Sequence, residues 1–187
     1  MIRKKALGTK KAVRPAKRRS VSTARIMAIY KGHVQRYGKA PAKNVTISQR
    51  NITIGTNSDW SNATVIDRNP AWAAIEGADY VWSSRDPNAE FAVISERFNL
   101  SRNRDIERGR LTLAVDNYAV VLINGRIVVY DTPQATQSFF NPGREFNVRR
   151  FLRRGRNDIV IIAFNFGGPR STNNPAGVAA RLDIRLD

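Results

Sequence analysis

The sequence predicts an all-β protein, a β-sandwich carried behind a basic N-terminal arm, and three observations support this. Short alternating or apolar segments recur between turn signals from about residue 45 to the end. Amphipathic helical spacing is nearly absent after Gly32. Charge divides the chain: the first acidic residue is Asp59, and residues 1–58 hold eight Lys and seven Arg, a net of +15. Seventeen Arg and fifteen acids follow, a net of +2, with no Lys after Lys43.

Residues 1–43 read as the arm, largely extended, because 1–22 have no sustained apolar period. A short helix is expected near 23–31, where Ile26, Ile29 and Tyr30 share helical spacing, Ser22 or Thr23 can cap, and Gly32 can stop it. Residues 44–187 read as the sandwich. Val45, Ile47, Ile52 and Ile54 mark one or two short strands, and residues 63–67, 75–82 and 90–100 mark three more. Leu111, Leu113 and Val115 alternate with polar neighbours. Tyr118–Ile123 and Arg126–Tyr130 flank Asn124-Gly125, whose residue types suit the two positive-φ positions of a type I′ hairpin turn. The continuous apolar run 159–166 fits a central strand, and residues 177–186 close the chain with a last alternating strand. Seven to nine such strands and little helix argue for a sandwich, and some 130 residues suffice for a core without disulfides.

Several chemistries are excluded or weakened. Cysteine is absent, which removes disulfides and thiolate metal sites. His33 is the single histidine and lies in the arm, so no His-based triad can form; it is expected to be solvated. Asp67, Glu76, Asp79, Asp86 and Glu90 cluster in a turn-rich stretch and read as solvated loop acids rather than a glycosidase pair. Gly167-Gly168-Pro169 lacks the Lys and the helix of a phosphate loop. No cofactor is expected, although a calcium site made of loop carboxylates and carbonyls stays open. Trp82 is expected in the core, while Trp60 and Trp72 stand in turn-rich segments where exposure and burial are equally expected.

Residues 80–186 carry a longer pattern: Tyr80-Val-Trp82, Phe91 through Phe98, Ala114-Val-Asp116-Asn117-Tyr118, Asn124-Gly125 and Phe146-Asn-Val148. It continues through Leu152-Arg-Arg-Gly155-Arg-Asn157-Asp-Ile159, Asn165 and Pro175-Ala-Gly177. This order resembles the galactose-binding-like jelly-roll domain in the form that accompanies many glycoside hydrolases. The resemblance implies a jelly-roll sandwich with a ligand site in variable loops, so the motif residues name no ligand. The basic arm lies outside the pattern and is similar to the arms of viral capsid proteins.

Two sets of residues are candidates for binding. Arg3, Lys4, Lys5, Lys10, Lys11, Arg14, Lys17, Arg18, Arg19 and Arg25 would meet a polyanion or a partner, with Ile26, Ile29 and Tyr30 as apolar anchors that dock into that partner. Arg149, Arg150, Arg153, Arg154 and Arg156 would form a second basic patch. The expected function is a non-enzymatic assembly protein, foremost a minor capsid or other virion component whose arm binds neighbouring subunits or nucleic acid. A carbohydrate-binding module and a sequence-independent nucleic-acid-binding protein are the alternatives. The start Met1-Ile-Arg-Lys-Lys has no apolar run behind it and is not read as a secretory signal. A virion or another intracellular assembly is therefore the expected location, and an organelle transit peptide remains open.

Overall fold

A computed structural model describes residues 21–38, 46–47, 49–131 and 142–187. It begins with helix α1 (Thr23–Tyr37), followed by β1 (Thr46–Ile47), β2 (Asn51–Gly55), β3 (Ala63–Val65) and β4 (Val81–Ser83). Next come β5 (Phe91–Leu100), β6 (Ile106–Asp116), β7 (Tyr118–Ile123) and β8 (Arg126–Tyr130). After β9 (Arg144–Asn147) and a 3-10 turn at Arg149–Phe151, β10 (Gly155–Phe164) and β11 (Gly177–Leu186) complete the chain.

The strands form two sheets. The first runs β1-β5-β10-β7-β8 and the second β3-β4-β11-β6-β9, with β2 also paired to β11. All pairings are antiparallel except β1 with β5. From β5 onward the chain crosses between the sheets at every step but the β7–β8 hairpin, which is the wrapping of a jelly roll. The jelly-roll sandwich implied by the motifs is the arrangement these sheets make.

Alternation decides what lies between the sheets. Ile94, Val121, Ile159 and Ile161 of the first sheet face Leu111, Leu113, Val178 and Leu182 of the second, and all are at most 1% exposed. Such side chains each contribute several kcal/mol, since truncating a buried Leu or Ile to Ala costs about 2–5 kcal/mol. The hairpin is as expected: Asn124 and Gly125 have φ of 52° and 75°. Gly155 also sits at positive φ, 74°, at the turn that feeds β10.

The arm differs from its expectation. The helix runs on to Tyr37, past Gly32, with Ser22 as N-cap accepting from the Arg25 N–H at 3.3 Å. It does not await a partner: Ile26 is fully buried against Val93, Val120, Leu122, Val160 and Ile162 on the outer face of the first sheet. Ile29 and Tyr30 pack at the edge of the same cluster. These anchors therefore pack on the chain's own sandwich, and α1 is part of the same folded unit as the strands.

This docking explains a feature of the sequence. β7 is buried at all six positions, and β10 at every position from Ile159 to Phe164. Odd residues of β10 face the core between the sheets, and even ones face α1. A strand covered on both faces needs no polar side, so its sequence becomes a continuous apolar run.

Candidate functional site

Helix α1 crosses the first sheet obliquely. The Tyr130 hydroxyl donates to the Val21 carbonyl at 2.8 Å, placing the helix start beside β8. The Tyr30 hydroxyl reaches Asp158 of β10 at 3.5 Å, and His33 Nε2 lies 2.8 Å from Ser95 Oγ of β5. The last turn of the helix thus ends at the β5 side, next to the loop joining β4 to β5.

There the helix and the sandwich leave a cleft of about 550 Å³. His33, Arg36 and Tyr37 line it from the helix; Asn62, Arg85 and Phe91 line it from the sandwich. His33 and Tyr37 lie with ring centroids 4.6 Å apart, and Phe91 is half-buried on the opposite wall. Asn62, at φ 63°, fixes the sandwich rim: its amide donates to the Val93 carbonyl at 2.8 Å and accepts from the Arg85 N–H at 3.3 Å. Ser83 Oγ accepts from the Asp86 N–H at 3.2 Å and holds the same loop. Arg36, Arg85 and Asp86 are exposed at the mouth, and no ion pair among the described residues takes Arg36 or Arg85.

His33 corrects the expectation of a solvated arm residue. It is 8% exposed, and burial, reinforced by the Arg36 and Arg97 charges, pushes its pKa down to about 4. The ring is neutral at pH 7 and acts as a hydrogen-bonding wall rather than a cation.

The tryptophans settle as structural. Trp60 and Trp72 are 3% and 4% exposed, and each indole N–H is satisfied: Trp60 donates to the Gly55 carbonyl at 2.8 Å, Trp72 to Asp116 Oδ2 at 2.9 Å. Trp82 is fully buried, as expected of a core residue. Asp116 thus pairs with a side chain distant in sequence, and burial raises its pKa despite the Trp72 bond. Asn117 accepts from the Phe166 N–H at 2.6 Å. Burial also pushes Tyr80, which donates to the Ala73 carbonyl at 2.7 Å, up to about 12. Gly177 has a packing role, because a Cβ there would come within 2.7 Å of the Trp72 ring.

The remaining expectations fall in different places. Arg3, Lys4, Lys5, Lys10, Lys11, Arg14, Lys17, Arg18 and Arg19 lie outside the described residues. Arg25 is exposed on α1, facing away from the sheet. Arg149, Arg150, Arg153 and Arg154 gather around one shallow concavity, while Arg156 is exposed on β10. Among the described residues no group of three or more His, Asp or Glu is placed to hold a metal ion. No described helix is long and apolar enough to cross a membrane. A further cavity of about 450 Å³, mainly apolar, opens beside Ile54, Trp60 and Phe98. It borders Ile47, and residue 48 beside it lies outside the described residues.

No family model and no curated protein matches the chain. Among solved structures it is similar to a Streptomyces avermitilis α-L-rhamnosidase complexed with L-rhamnose, at 18% identity and a TM-score of 0.48, over 68% of this chain and 13% of that one. A family 35 carbohydrate-binding module from Clostridium thermocellum matches at 13% identity and a TM-score of 0.40, over 70% of this chain and 97% of that module. One from an environmental isolate matches at 14% and 0.39, over 72% and 92%. The chain therefore spans a small part of the rhamnosidase but nearly the whole of either module. At such identities the likeness is one of fold.

Proposed function

We propose that this protein is a non-catalytic carbohydrate-binding module whose site is the cleft between α1 and the β4–β5 loop. The observation that carries this reading is the composition of that cleft. Tyr37 and Phe91 offer ring surface to the C–H face of a sugar, and Arg36, Arg85 and Asp86 offer planar polar groups at its mouth. A sugar presents apolar and hydroxyl-rich faces together, so its site needs both kinds of group within one cavity. The volume of about 550 Å³ accommodates one or two sugar rings. A guanidinium donating to, or a carboxylate accepting from, two adjacent hydroxyls would fix orientation.

The test is a glycan array probed with the wild-type protein, followed by calorimetric titration of the best ligand against Tyr37→Ala and Arg85→Ala. Loss of roughly 10-fold or more in affinity for each, with the melting temperature retained, is the expected result. Unchanged affinity in both variants would move any glycan site elsewhere.

A second reading, an assembly protein such as a minor capsid or virion component, is favoured by one observation: the net +15 of residues 1–58 against +2 for the rest. Its anchors are not Ile26, Ile29 and Tyr30, which are engaged within the chain, so contacts with subunits would rest on the basic residues before Val21. Sedimentation of the purified protein decides it. Assembly into large particles, alone or with nucleic acid, supports this reading; a monomer under both conditions opposes it.

A further inference from the structure

The Arg-rich turn 149–156 lies apart from the cleft and is firmly built, with Leu152 set in the sandwich core. Asn157 is fully buried, accepts the Arg153 N–H at 2.9 Å and donates to the Arg153 and Gly155 carbonyls at 2.6 and 3.0 Å. Asn124 of the hairpin donates to the Phe151 carbonyl and to Asn157 Oδ1, both at 2.9 Å. The turn's backbone is thereby tied to two strands.

Its guanidinium groups are held as well. Arg149 Nε donates to the Ile106 carbonyl at 2.6 Å, and Arg153 Nε to the Arg156 carbonyl at 2.7 Å. Arg150 and Arg126 lie over the Phe151 ring, 4.8 and 5.2 Å from its centroid. Arg154 pairs with Asp105. Arg149, Arg150, Arg153 and Arg154 line a shallow concavity of about 270 Å³, and Asp105 is the acid on its wall. An arginine held through Nε has spent one of five donors, and its terminal nitrogens keep the fork that matches a phosphate. Pre-orientation also lowers the entropy lost when an anion binds.

We infer that this corner is a phosphodiester site that grips the backbone of a nucleic acid without reading its sequence. The cluster is all arginine, the residue suited to bidentate phosphate contacts. Phe151 is already covered by two guanidinium groups, so it provides no platform for a base, and backbone contacts alone carry no sequence information. The same chain holds fifteen further cations in residues 1–58, a distribution that suits a polymer long enough to meet both elements. The inference stands apart from the glycan cleft, since the two sites share no residue.

The experiment measures fluorescence anisotropy of a labelled random-sequence DNA duplex with the full chain across a salt series. One variant combines Arg149→Gln, Arg150→Gln, Arg153→Gln and Arg154→Gln; an equal-charge control combines Lys4→Gln, Lys5→Gln, Lys10→Gln and Lys11→Gln. The corner variant is expected to lose on the order of 10- to 100-fold in affinity at about 0.1 M salt, more than the control, and to flatten the salt slope by about 3. A corner variant that loses no more than the control overturns the proposal. Asp105→Asn, which removes the opposing carboxylate, is expected to tighten binding about 3- to 10-fold, a gain that misfolding cannot imitate. No gain there contradicts the site. Displacement of the duplex by a heparin oligosaccharide at lower concentration than by unlabelled duplex would assign the corner to sulfated glycans and overturn the nucleic-acid claim.

Discussion

The two sheets of this sandwich share a core but treat their outer faces differently. The first sheet lies under α1, and Val93, Val120, Leu122, Val160 and Ile162 form a second apolar layer with Ile26. The second sheet turns much of its outer face to solvent, where Arg110 pairs with Glu145, Arg181 with Asp183 and Arg185 with Glu107. A smaller cluster of Trp72, Tyr80, Ala114 and Ala179 covers only one end of that face. The contrast shows how a binding site can be added to a sandwich. A helix laid across one face creates a new wall, and the gap between its last turn and the sheet edge becomes a cleft. Among the described residues the solvated face has charge pairs and no helix laid across it.

Substitutions can test whether the contrast is energetic as well as geometric. The largest effect is expected inside the shared core, where Ile161→Ala should cost about 3–4 kcal/mol of global stability in chemical denaturation. Ile26→Ala should cost less globally, about 2 kcal/mol, because undocking of α1 limits the loss. Amide exchange should then show α1 opening while β6 and β11 stay protected; global loss equal to that of Ile161→Ala would mean that helix and sandwich unfold as one unit.

Acid should act on the covered face next. The folded pKa of His33, about 4, lies below the unfolded value near 6.5, so the unfolded chain binds a proton that the folded one refuses. Its contribution is complete above pH 6.5 and falls as pH drops toward 4. The expected loss between pH 7 and 4.5 is about 2 kcal/mol relative to His33→Gln, with Arg36 and Arg97 as the charges that oppose protonation. Equal pH profiles for the two proteins would show that the histidine is not confined. The smallest effect belongs to the solvated face: Arg185→Ala should change stability by less than about 0.5 kcal/mol, because its pair with Glu107 is half-exposed at both ends. A loss above about 1 kcal/mol would mark that face as a structural network.

Much of the sandwich is legible in the sequence because alternation and turn chemistry are local. Asn124-Gly125 announces the β7–β8 hairpin, and Leu111, Leu113 and Val115 announce the inner face of β6. The docked helix is not legible in the same way. Its few anchors lie among Lys31, Arg25 and Arg36, and the charge boundary at Asp59 falls well after the docked helix. A signal was present elsewhere: Tyr118–Ile123 and Ile159–Phe164 are apolar on both faces, which requires a cover on the outer side of two adjacent strands. The cleft was missed for the same reason, since His33 and Tyr37 meet Asn62, Arg85 and Phe91 only once the helix is docked. The burial of Trp72 depends on a distant acceptor, Asp116, that no local pattern shows, whereas Trp60 is satisfied by the nearby Gly55 carbonyl. The arginine turn was visible as composition, but its rigidity rests on Asn124 and Asn157 side chains that meet across the fold.

The most direct test of the central claim is mapping of amide and side-chain chemical shifts on titration with the tightest glycan from an array. The account predicts shifts concentrated at Gly32–Tyr37, Ser83–Asp86 and Phe91, with β6, β11 and the Arg149–Phe151 turn unmoved. Shifts on the solvated face or at the arginine turn, with none in the cleft, would contradict it.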